Sequence, residues 1–258
     1  MRDQDGNLDL AKVAELAANP AVKMFEIKTV PRRKTGQGRH PPGEKVTKVI
    51  ASTRGIPVGQ DSISPNRHPE VTDADSLLDL IAKVREASGK PTGIKFVVGQ
   101  TQWLEDLFAA IHTRGMASAP DFFTLDSADG GTGAAPQGLM DNMGLPVASS
   151  LPAIHRKLSE AGLRGRIKLI ATGKMVNPAG VAGSTVSWRR RGLLRPGFMF
   201  ALGCIQALQC HQNTCPTGIT THNPKLQRGL DPTDKATRVA NYADAIKREV
   251  GLIANSAG

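Results

Sequence analysis

Short apolar runs alternate with amphipathic helical patterns along this chain, and this alternation constrains the fold more than any other feature. Runs at 93–99, 121–126 and 167–171 are each followed by a helical pattern, and an alternating run at 22–28 precedes them. A strand followed by a helix at intervals of about 30 to 45 residues is typical of parallel βα units. We expect four such units in an α/β fold, with functional groups at the carboxyl ends of the strands.

The helices have recognisable boundaries. A helix over residues 8–18 is closed by Asn19-Pro20, and a second helix is announced by residues 72–75 and ends at Gly89. Further helical patterns cover residues 103–114, 151–161 and 178–182. The predicted buried face of the second helix consists of Leu77, Leu78, Leu80, Ile81 and Val84. Residues 31–43 are too polar to be buried and are predicted to form a loop.

Composition indicates a folded protein with no membrane partner. Of the 258 residues, 40% are hydrophobic and 22% are charged, which is typical of a globular domain. Apolar stretches such as 96–98 and 198–202 are far shorter than the roughly 20 residues that a membrane span needs. The first residues lack the basic and apolar parts of a secretory signal. We therefore expect a cytoplasmic protein.

The net charge of +10 is concentrated in two short segments. Residues 30–42 and 183–197 each contain four basic residues and no acidic ones, so together they account for eight of the ten charges. Only 4% of the residues are aromatic, and single-strand binders need aromatic stacking platforms. We predict no nucleic-acid partner. The eight basic residues are Arg32, Arg33, Lys34, Arg39, Arg189, Arg190, Arg191 and Arg195.

All three cysteines lie in one segment, at Cys204, Cys210 and Cys215. An odd number of cysteines in a chain without a secretory signal argues against a disulfide framework. Three thiolates so close together can hold an iron-sulfur cluster, and Cys-Pro often ends such a segment. Zinc would need a fourth ligand, for which His211 and His222 are candidates. Three reduced, buried cysteines remain the alternative without metal.

A glycine-rich loop follows the strand at 121–126 directly. Its sequence, DSADGGTGA over residues 126–134, allows close approach to a flat or phosphorylated ligand, although many such loops are only tight turns. Lys95 is a polar residue inside an apolar strand, where it needs an anionic partner unless it extends to solvent. Gly173 and Lys174 follow the strand at 167–171, where barrels often bind phosphate.

These motifs resemble the FMN-binding domain of glutamate synthase and its stand-alone relatives. The resemblance rests on residues 121–138, the cysteine segment, Gly93-Ile94-Lys95, residues 63–65 and residues 229–232, and it extends over nearly the whole chain from Phe25. It implies a (β/α)8 barrel with FMN at the carboxyl ends of its strands and a 3Fe-4S cluster on the cysteine loop. We expect residues 1–258 to form one partial barrel domain, within which 198–258 form the cysteine loop and a helical tail.

The resemblance also implies the reaction. The family reduces 2-iminoglutarate, formed from 2-oxoglutarate and ammonia or glutamine-derived ammonia, to L-glutamate, with electrons from an NADPH-linked subunit or ferredoxin. Alternatives are an N-methylglutamate synthase type subunit and a zinc-stabilised binding module without catalysis. The implied catalytic residues are Lys95 and Asp129, the implied cluster ligands are Cys204, Cys210 and Cys215, and the implied cofactor contacts are Lys95, Ser127, Gly130, Gly131, Thr132, Gly173 and Gly197.

The chain departs from the family at three places. Relatives carry barrel strands ahead of the part that matches residues 8–28, so we expect only the last five or six βα units, with exposed sheet edges. Residues 30–43, VPRRKTGQGRHPPG, stand where the family has a loop like SQGAKPGxGGxLPG. Residues 189–197, RRRGLLRPG, stand where the family has its last strand and a turn, resembling GADF and SARG.

One change of reading frame accounts for each of the two atypical segments. Permissible codons for residues 30–43, read one base later, encode SQGAKPGKGGILPG. Permissible codons for residues 189–197, read in the same way, encode AGADFSARG. We hypothesise a local, compensated frameshift in both segments. This hypothesis makes the arginines by-products of the reading frame and predicts weak FMN binding by the chain as it stands.

Overall fold

A computed structural model describes residues 1–3, 6–29, 42–62, 68–128, 142, 144–185, 191–194, 196–210 and 212–257. The described strands are β1 (Phe25–Lys28), β2 (Thr92–Val97), β3 (Phe122–Asp126), β4 (Lys168–Thr172) and β5 (Arg191–Leu193). The described helices are α1 (Leu10–Ala18), α2 (Lys48–Arg54), α3 (Ala74–Ser88), α4 (Gln102–Arg114), α5 (Val147–Glu160), α6 (Pro178–Thr185), α7 (Pro196–Ala201), α8 (Pro224–Gln227) and α9 (Pro232–Ser256).

The five described strands form one sheet in the order β1-β2-β3-β4-β5, and every pairing is parallel. At least one helix separates each strand from the next. A sequential order without reversal is that of consecutive units of a (β/α)8 barrel, whereas a doubly wound sheet reverses its order. The predicted α/β fold with a parallel sheet is confirmed, and the architecture fits part of such a barrel. β5 is a strand that the four expected units did not include.

The two faces of the sheet have different neighbours. Alternate strand residues such as Ile94, Phe96, Phe123 and Leu125 are buried in one hydrophobic core with the helices. The opposite, inner face carries a layer of register partners that runs from Lys28 through Lys95 and Thr124 to Ile170. Strand alternation therefore turns Lys95 and Thr124 away from the helices and onto the same face.

The capping residues of α3 explain why its boundaries could be predicted. The Asp73 carboxylate accepts the backbone N–H of Ser76 at 2.8 Å, and the Ser76 hydroxyl accepts the backbone N–H of Asp73 at 3.0 Å. Gly89 ends the helix with φ of 62°, a conformation that costs glycine little. The five residues predicted for its buried face are all buried.

Other helix boundaries differ from the sequence predictions. α1 begins at Leu10 because the Asp9 side chain accepts the N–H of Lys12 at 2.9 Å and so caps the helix. α5 begins at Val147 rather than at residue 151, directly after Pro146. α2, a helix of seven residues, was not predicted. No helix in the described ranges combines the length and apolar character that crossing a membrane requires.

An ion-pair cluster ties the helices to the amino ends of the strands. The Asp121 carboxylate lies 3.0 Å from Arg85 Nε and 2.9 Å from Arg166 Nη2, and it accepts the N–H of Thr92 at 2.8 Å. Burial raises the pKa of Asp121, but the Thr92 hydrogen bond and the two arginines outweigh it and lower the pKa overall. The cluster lies at the opposite end of the sheet from the glycine-rich loop.

We expect Asp121→Asn to destabilise the protein by about 1 to 3 kcal/mol at pH 7, because charge-assisted hydrogen bonds are lost at a partly buried site. Because the pKa of Asp121 is lower in the folded state, its stabilisation is complete above the unfolded pKa of about 3.9 and is lost as the pH falls through the folded value. Urea unfolding at several pH values should therefore show a weaker acid dependence for Asp121→Asn. The exposed Asp106→Asn serves as control, and equal curves for both variants would contradict this role.

Candidate functional site

The carboxyl ends of β2 and β3 are joined by the segment that follows the glycine-rich loop. The N–H of Leu145 donates to Val98 O at 2.8 Å, and the N–H of Ala128 donates to Leu145 O at 3.0 Å. Gly144 has φ of 104° and approaches so closely that an added Cβ would lie 2.4 Å from Val97 Cγ1. Both flanks of the glycine-rich loop are therefore held at the carboxyl edge of the sheet, where the family resemblance places the active site.

Lys95 lies on the inner face of the sheet, as the sequence led us to expect. Its ammonium is 3.5 Å from the Glu26 carboxylate on the neighbouring strand β1, and its side chain is 25% exposed. The anionic partner that an inward lysine needs is thus supplied by the chain itself. An anionic ligand at this face would compete with Glu26 for Lys95.

Thr124, the register partner of Lys95 on β3, presents an unused polar atom to the same face. Thr124 is fully buried, and its Oγ1 has no hydrogen-bond partner in the described part of the chain. A buried hydroxyl without a partner costs about 1 to 3 kcal/mol. A bound group that hydrogen-bonds Thr124 recovers this free energy. Sequence reasoning did not identify Thr124, because a threonine in a strand is ordinary.

Ser127 and Gly173 are brought together at the ends of β3 and β4. A Cβ on Gly173 would lie 2.6 Å from the Ser127 Cβ, so glycine is needed for the two strand ends to pack. The Ser127 hydroxyl is buried and accepts the N–H of Val147 at 3.0 Å. Both residues lie at the carboxyl edge, and their assignment as cofactor contacts remains a prediction.

Gly197 lies in the first turn of α7, and its packing has an explanation within the chain. A Cβ on Gly197 would lie 1.7 Å from the hydroxyl of Tyr242 on α9. The Tyr242 hydroxyl donates to Val176 O at 3.1 Å, and its ring packs edge-on against Phe198. The predicted cofactor contact of Gly197 remains a prediction beside this structural role.

Several predicted site residues fall outside the residues that the structure describes. They include the implied catalytic Asp129 and most of the two basic segments. Their predicted roles rest on the sequence alone. The residues concerned are Asp129, Gly130, Gly131, Thr132, His211 and the ranges 30–41, 186–190 and 195.

The cysteine segment forms a loop that turns repeatedly through left-handed backbone conformations. Gln206, Leu208 and Asn213 have φ of 54°, 58° and 63°, and none of them is glycine. Such residues are uncommon and cluster at functional sites. Asn213 is held by its neighbours, since its backbone carbonyl accepts the Thr221 hydroxyl at 2.6 Å and its side chain accepts the N–H of His222 at 2.8 Å.

Cys215 is buried at the centre of this loop, and its surroundings favour the thiolate. Burial raises the pKa of Cys215, but hydrogen bonds outweigh it and lower the pKa to about 6. The donors are the hydroxyl groups and the backbone N–H groups of Thr217 and Thr220, and the Thr217 hydroxyl lies 3.4 Å from the sulfur. The thiolate is the form that binds metals.

Lys45 is a loop contact that sequence reasoning missed. It ends a 3₁₀ turn, Gly43–Lys45, and its ammonium donates to Thr220 O at 2.6 Å and also to Cys210 O. Burial lowers the pKa of Lys45, and the Cys210 and Cys215 thiolates oppose that shift. No local sequence signal could have found this contact, because Lys45 and Cys210 are 165 residues apart.

The cysteine loop fits a thiolate-bound cluster in its donor chemistry. Among the described residues, no group of three or more His, Cys, Asp or Glu side chains is placed to hold one metal ion. An iron-sulfur cluster does not need its three cysteines around one ion, because each cysteine binds a different iron.

A cavity of about 1000 Å³ opens between α3 and α4. Its wall contains Asp73, Asp75 and Asp106 and touches the carboxyl edge at Thr29 and Gly99. None of the described site residues predicted from the sequence lines it. We therefore place the candidate site on the inner face of the sheet and at its carboxyl edge, not in this cavity.

Comparison with known proteins agrees with the motifs. A family model described as "Conserved region in glutamate synthase" matches residues 18–258. The chain is 36% identical over its whole length to the glutamate synthase large subunit-like protein YerD of Bacillus subtilis, covering 49% of that protein. It is 35% identical to the archaeal glutamate synthase [NADPH] of Methanocaldococcus jannaschii, over 91% of this chain and 45% of that protein.

The chain spans about half the length of these relatives. Among solved structures, FabK of Thermotoga maritima matches 76% of this chain and 63% of its own at 11% identity, with a TM-score of 0.25, which is too low to support an argument. The family model matches residues 18–258, which is nearly the whole chain, and this match is sufficient to establish the family. This chain belongs to the glutamate synthase family.

Proposed function

We propose that the chain forms part of an FMN- and iron-sulfur-dependent oxidoreductase that reduces 2-iminoglutarate to L-glutamate. The observation that carries the proposal is that Lys95 and Thr124 are register partners on the inner face of a parallel sheet, where Lys95 brings a cation and Thr124 a buried hydroxyl without a hydrogen-bond partner in the described part of the chain. A cation and an unused hydroxyl at this face suit a flavin or a dicarboxylate substrate. The family of the chain makes this reaction the natural candidate.

The residues have distinct roles in this proposal. When bound, FMN supplies the hydride that reduces the imine carbon. Lys95 leaves Glu26 and pairs with a substrate carboxylate or with negative charge on the flavin, and scarce water strengthens that pairing. Asp129 would act in catalysis beside Lys95. The cofactor contacts in this proposal are Ser127, Gly130, Gly131, Thr132, Gly173 and Gly197.

The cysteine loop would supply the electrons. Cys204, Cys210 and Cys215 would hold a 3Fe-4S cluster, which would provide electron transfer to the flavin. An NADPH-linked subunit or ferredoxin would be the electron donor, and ammonia or glutamine-derived ammonia would join 2-oxoglutarate to form the imine.

Anaerobic reconstitution of the full chain with iron and sulfide tests the cluster. We expect broad absorbance at the blue end of the visible range and an electron paramagnetic signal in the oxidised state, because three thiolates bind the iron. Serine at Cys204, Cys210 or Cys215 should abolish both signals, whereas Ser184→Ala, a buried serine outside the loop, should not. Stoichiometric zinc without iron would favour the binding-module alternative.

The amine substrate separates the two synthase alternatives. A flavin-loaded protein of the glutamate synthase type forms glutamate from 2-oxoglutarate and ammonia. Formation of N-methylglutamate from methylamine in preference to glutamate would instead favour the N-methylglutamate synthase type. Product analysis by mass spectrometry distinguishes the two.

A further inference from the structure

Lys45 reaches the cysteine loop from a distant part of the chain. Its ammonium donates to the backbone carbonyls of Cys210 and Thr220, which lie on either side of Cys215. Two carbonyls that are ten positions apart in the loop thus share one cation. The Lys45 side chain is half-buried, and no carboxylate in the described part of the chain lies within ion-pair distance of it. Its hydrogen bonds are therefore made with the loop.

The hydrogen bonds of Lys45 connect the loop to a distant part of the chain. Hydrogen bonds within the loop, such as Gly218 N–H to Cys215 O at 3.2 Å, join residues that are close in sequence. A cation-to-carbonyl bond is stronger than a neutral one. The positive charge also lies close enough to the Cys210 and Cys215 thiolates to interact with both.

We propose that Lys45 is a positioning residue that fixes the cysteine loop through the Cys210 and Thr220 carbonyls and holds a positive charge beside the metal group bound there. The part that concerns the metal group rests on the proposed function. The part that concerns the loop does not.

Hydrogen exchange of the metal-free full chain tests the anchoring. In Lys45→Met, amides in the peptide that contains Cys215, Thr217 and Thr220 should exchange roughly tenfold faster, because the variant cannot form the two charge-assisted bonds. Lys45→Arg, which keeps a cationic donor, should restore most of the protection. The matched control is Lys48→Met, an exposed lysine three residues along the chain, which should exchange like the unaltered protein.

Unchanged exchange in Lys45→Met would overturn the anchoring role. Amides of β2 and β3 report whether the variant still folds. If Lys45→Met does not fold, Lys45→Gln, which keeps a polar donor but no charge, replaces it and should give the same faster exchange.

The reduction potential of the reconstituted cluster tests the charge. Loss of a positive charge disfavours the reduced, more negative cluster, so Lys45→Met should lower the potential and Lys45→Arg should leave it close to the unaltered value. If Lys45 had only a structural role, the potential would not depend on its charge in this way. Equal potentials in Lys45→Met and the unaltered chain would therefore overturn the proposed effect of the charge. If the unaltered chain takes up no iron, the proposed function fails, and hydrogen exchange alone decides the role of Lys45.

Discussion

A barrel in which both atypical segments are replaced by their frame-shifted sequences should purify yellow with bound FMN. The change replaces residues 30–43 with SQGAKPGKGGILPG and residues 189–197 with AGADFSARG, and it joins this chain to the N-terminal half of a relative such as YerD of Bacillus subtilis. In the family, part of the flavin phosphate contact comes from the last strand and its turn. Here Pro196 occupies that turn and has no N–H to donate.

Flavin absorbance of the purified protein, and quenching of FMN fluorescence on titration, measure the result. The unaltered 258-residue chain should bind FMN weakly or not at all. A chimera that keeps both basic segments is the control, and single replacements show whether each segment matters. Tight FMN binding by the unaltered chain would contradict the frameshift hypothesis. Sequencing the gene across both segments is an independent check.

Lys95→Met in the flavin-binding barrel should lower kcat/KM for glutamate formation by roughly ten- to a hundredfold. The substitution keeps the volume of the side chain and removes its charge, and removing a charge-assisted hydrogen bond from such a site costs about 1.5 to 3 kcal/mol. The fold should survive, because Lys95 lies on the inner face and not among the apolar residues packed on the helices. Steady-state kinetics with saturating reductant measure the effect.

Lys168→Met is a suitable control, since Lys168 is an exposed lysine at the amino end of β4. Cysteine substitutions offer a second comparison, because they should stop electron supply while flavin stays bound and photoreducible. Full glutamate formation by Lys95→Met would show that Lys95 serves only Glu26 and solvent. The two sets of variants therefore separate weakened substrate binding from an interrupted electron supply.

The sequence predicted those helices and strands whose boundaries depend on neighbouring residues in the chain. The limits of α3 followed from its capping residues and its glycine stop. The sequence also identified Lys95 as a polar residue in the apolar strand β2, but it left open whether Lys95 meets an anion or extends to solvent. α2 was missed because Thr47 gives it no side-chain cap and its seven residues carry little periodicity. β5 lies where the resemblance implied the family's last strand, but the local pattern did not predict it because an arginine-rich segment gives no strand signal.

The candidate site was predictable in its residue types but not in its contacts. Glu26 and Thr124 join Lys95 only through strand register, which a single sequence does not reveal. Lys45 meets the cysteine loop across most of the chain. Left-handed Gln206 and Leu208 are not residues that turn preferences would select. Long-range pairing and loop strain thus account for what the sequence left open.

The contacts of Tyr242 with Gly197 and with Val176 O affect the order in which the cysteine loop is assembled during synthesis. Chains emerge from the ribosome amino end first, so all three cysteines are made before the α9 residue that fixes the helix just ahead of Cys204. Until Tyr242 docks, the start of the cysteine loop lacks that attachment, and closing the intervening chain costs entropy. If the loop binds the proposed cluster, the cluster would therefore be inserted after α9 has been synthesised.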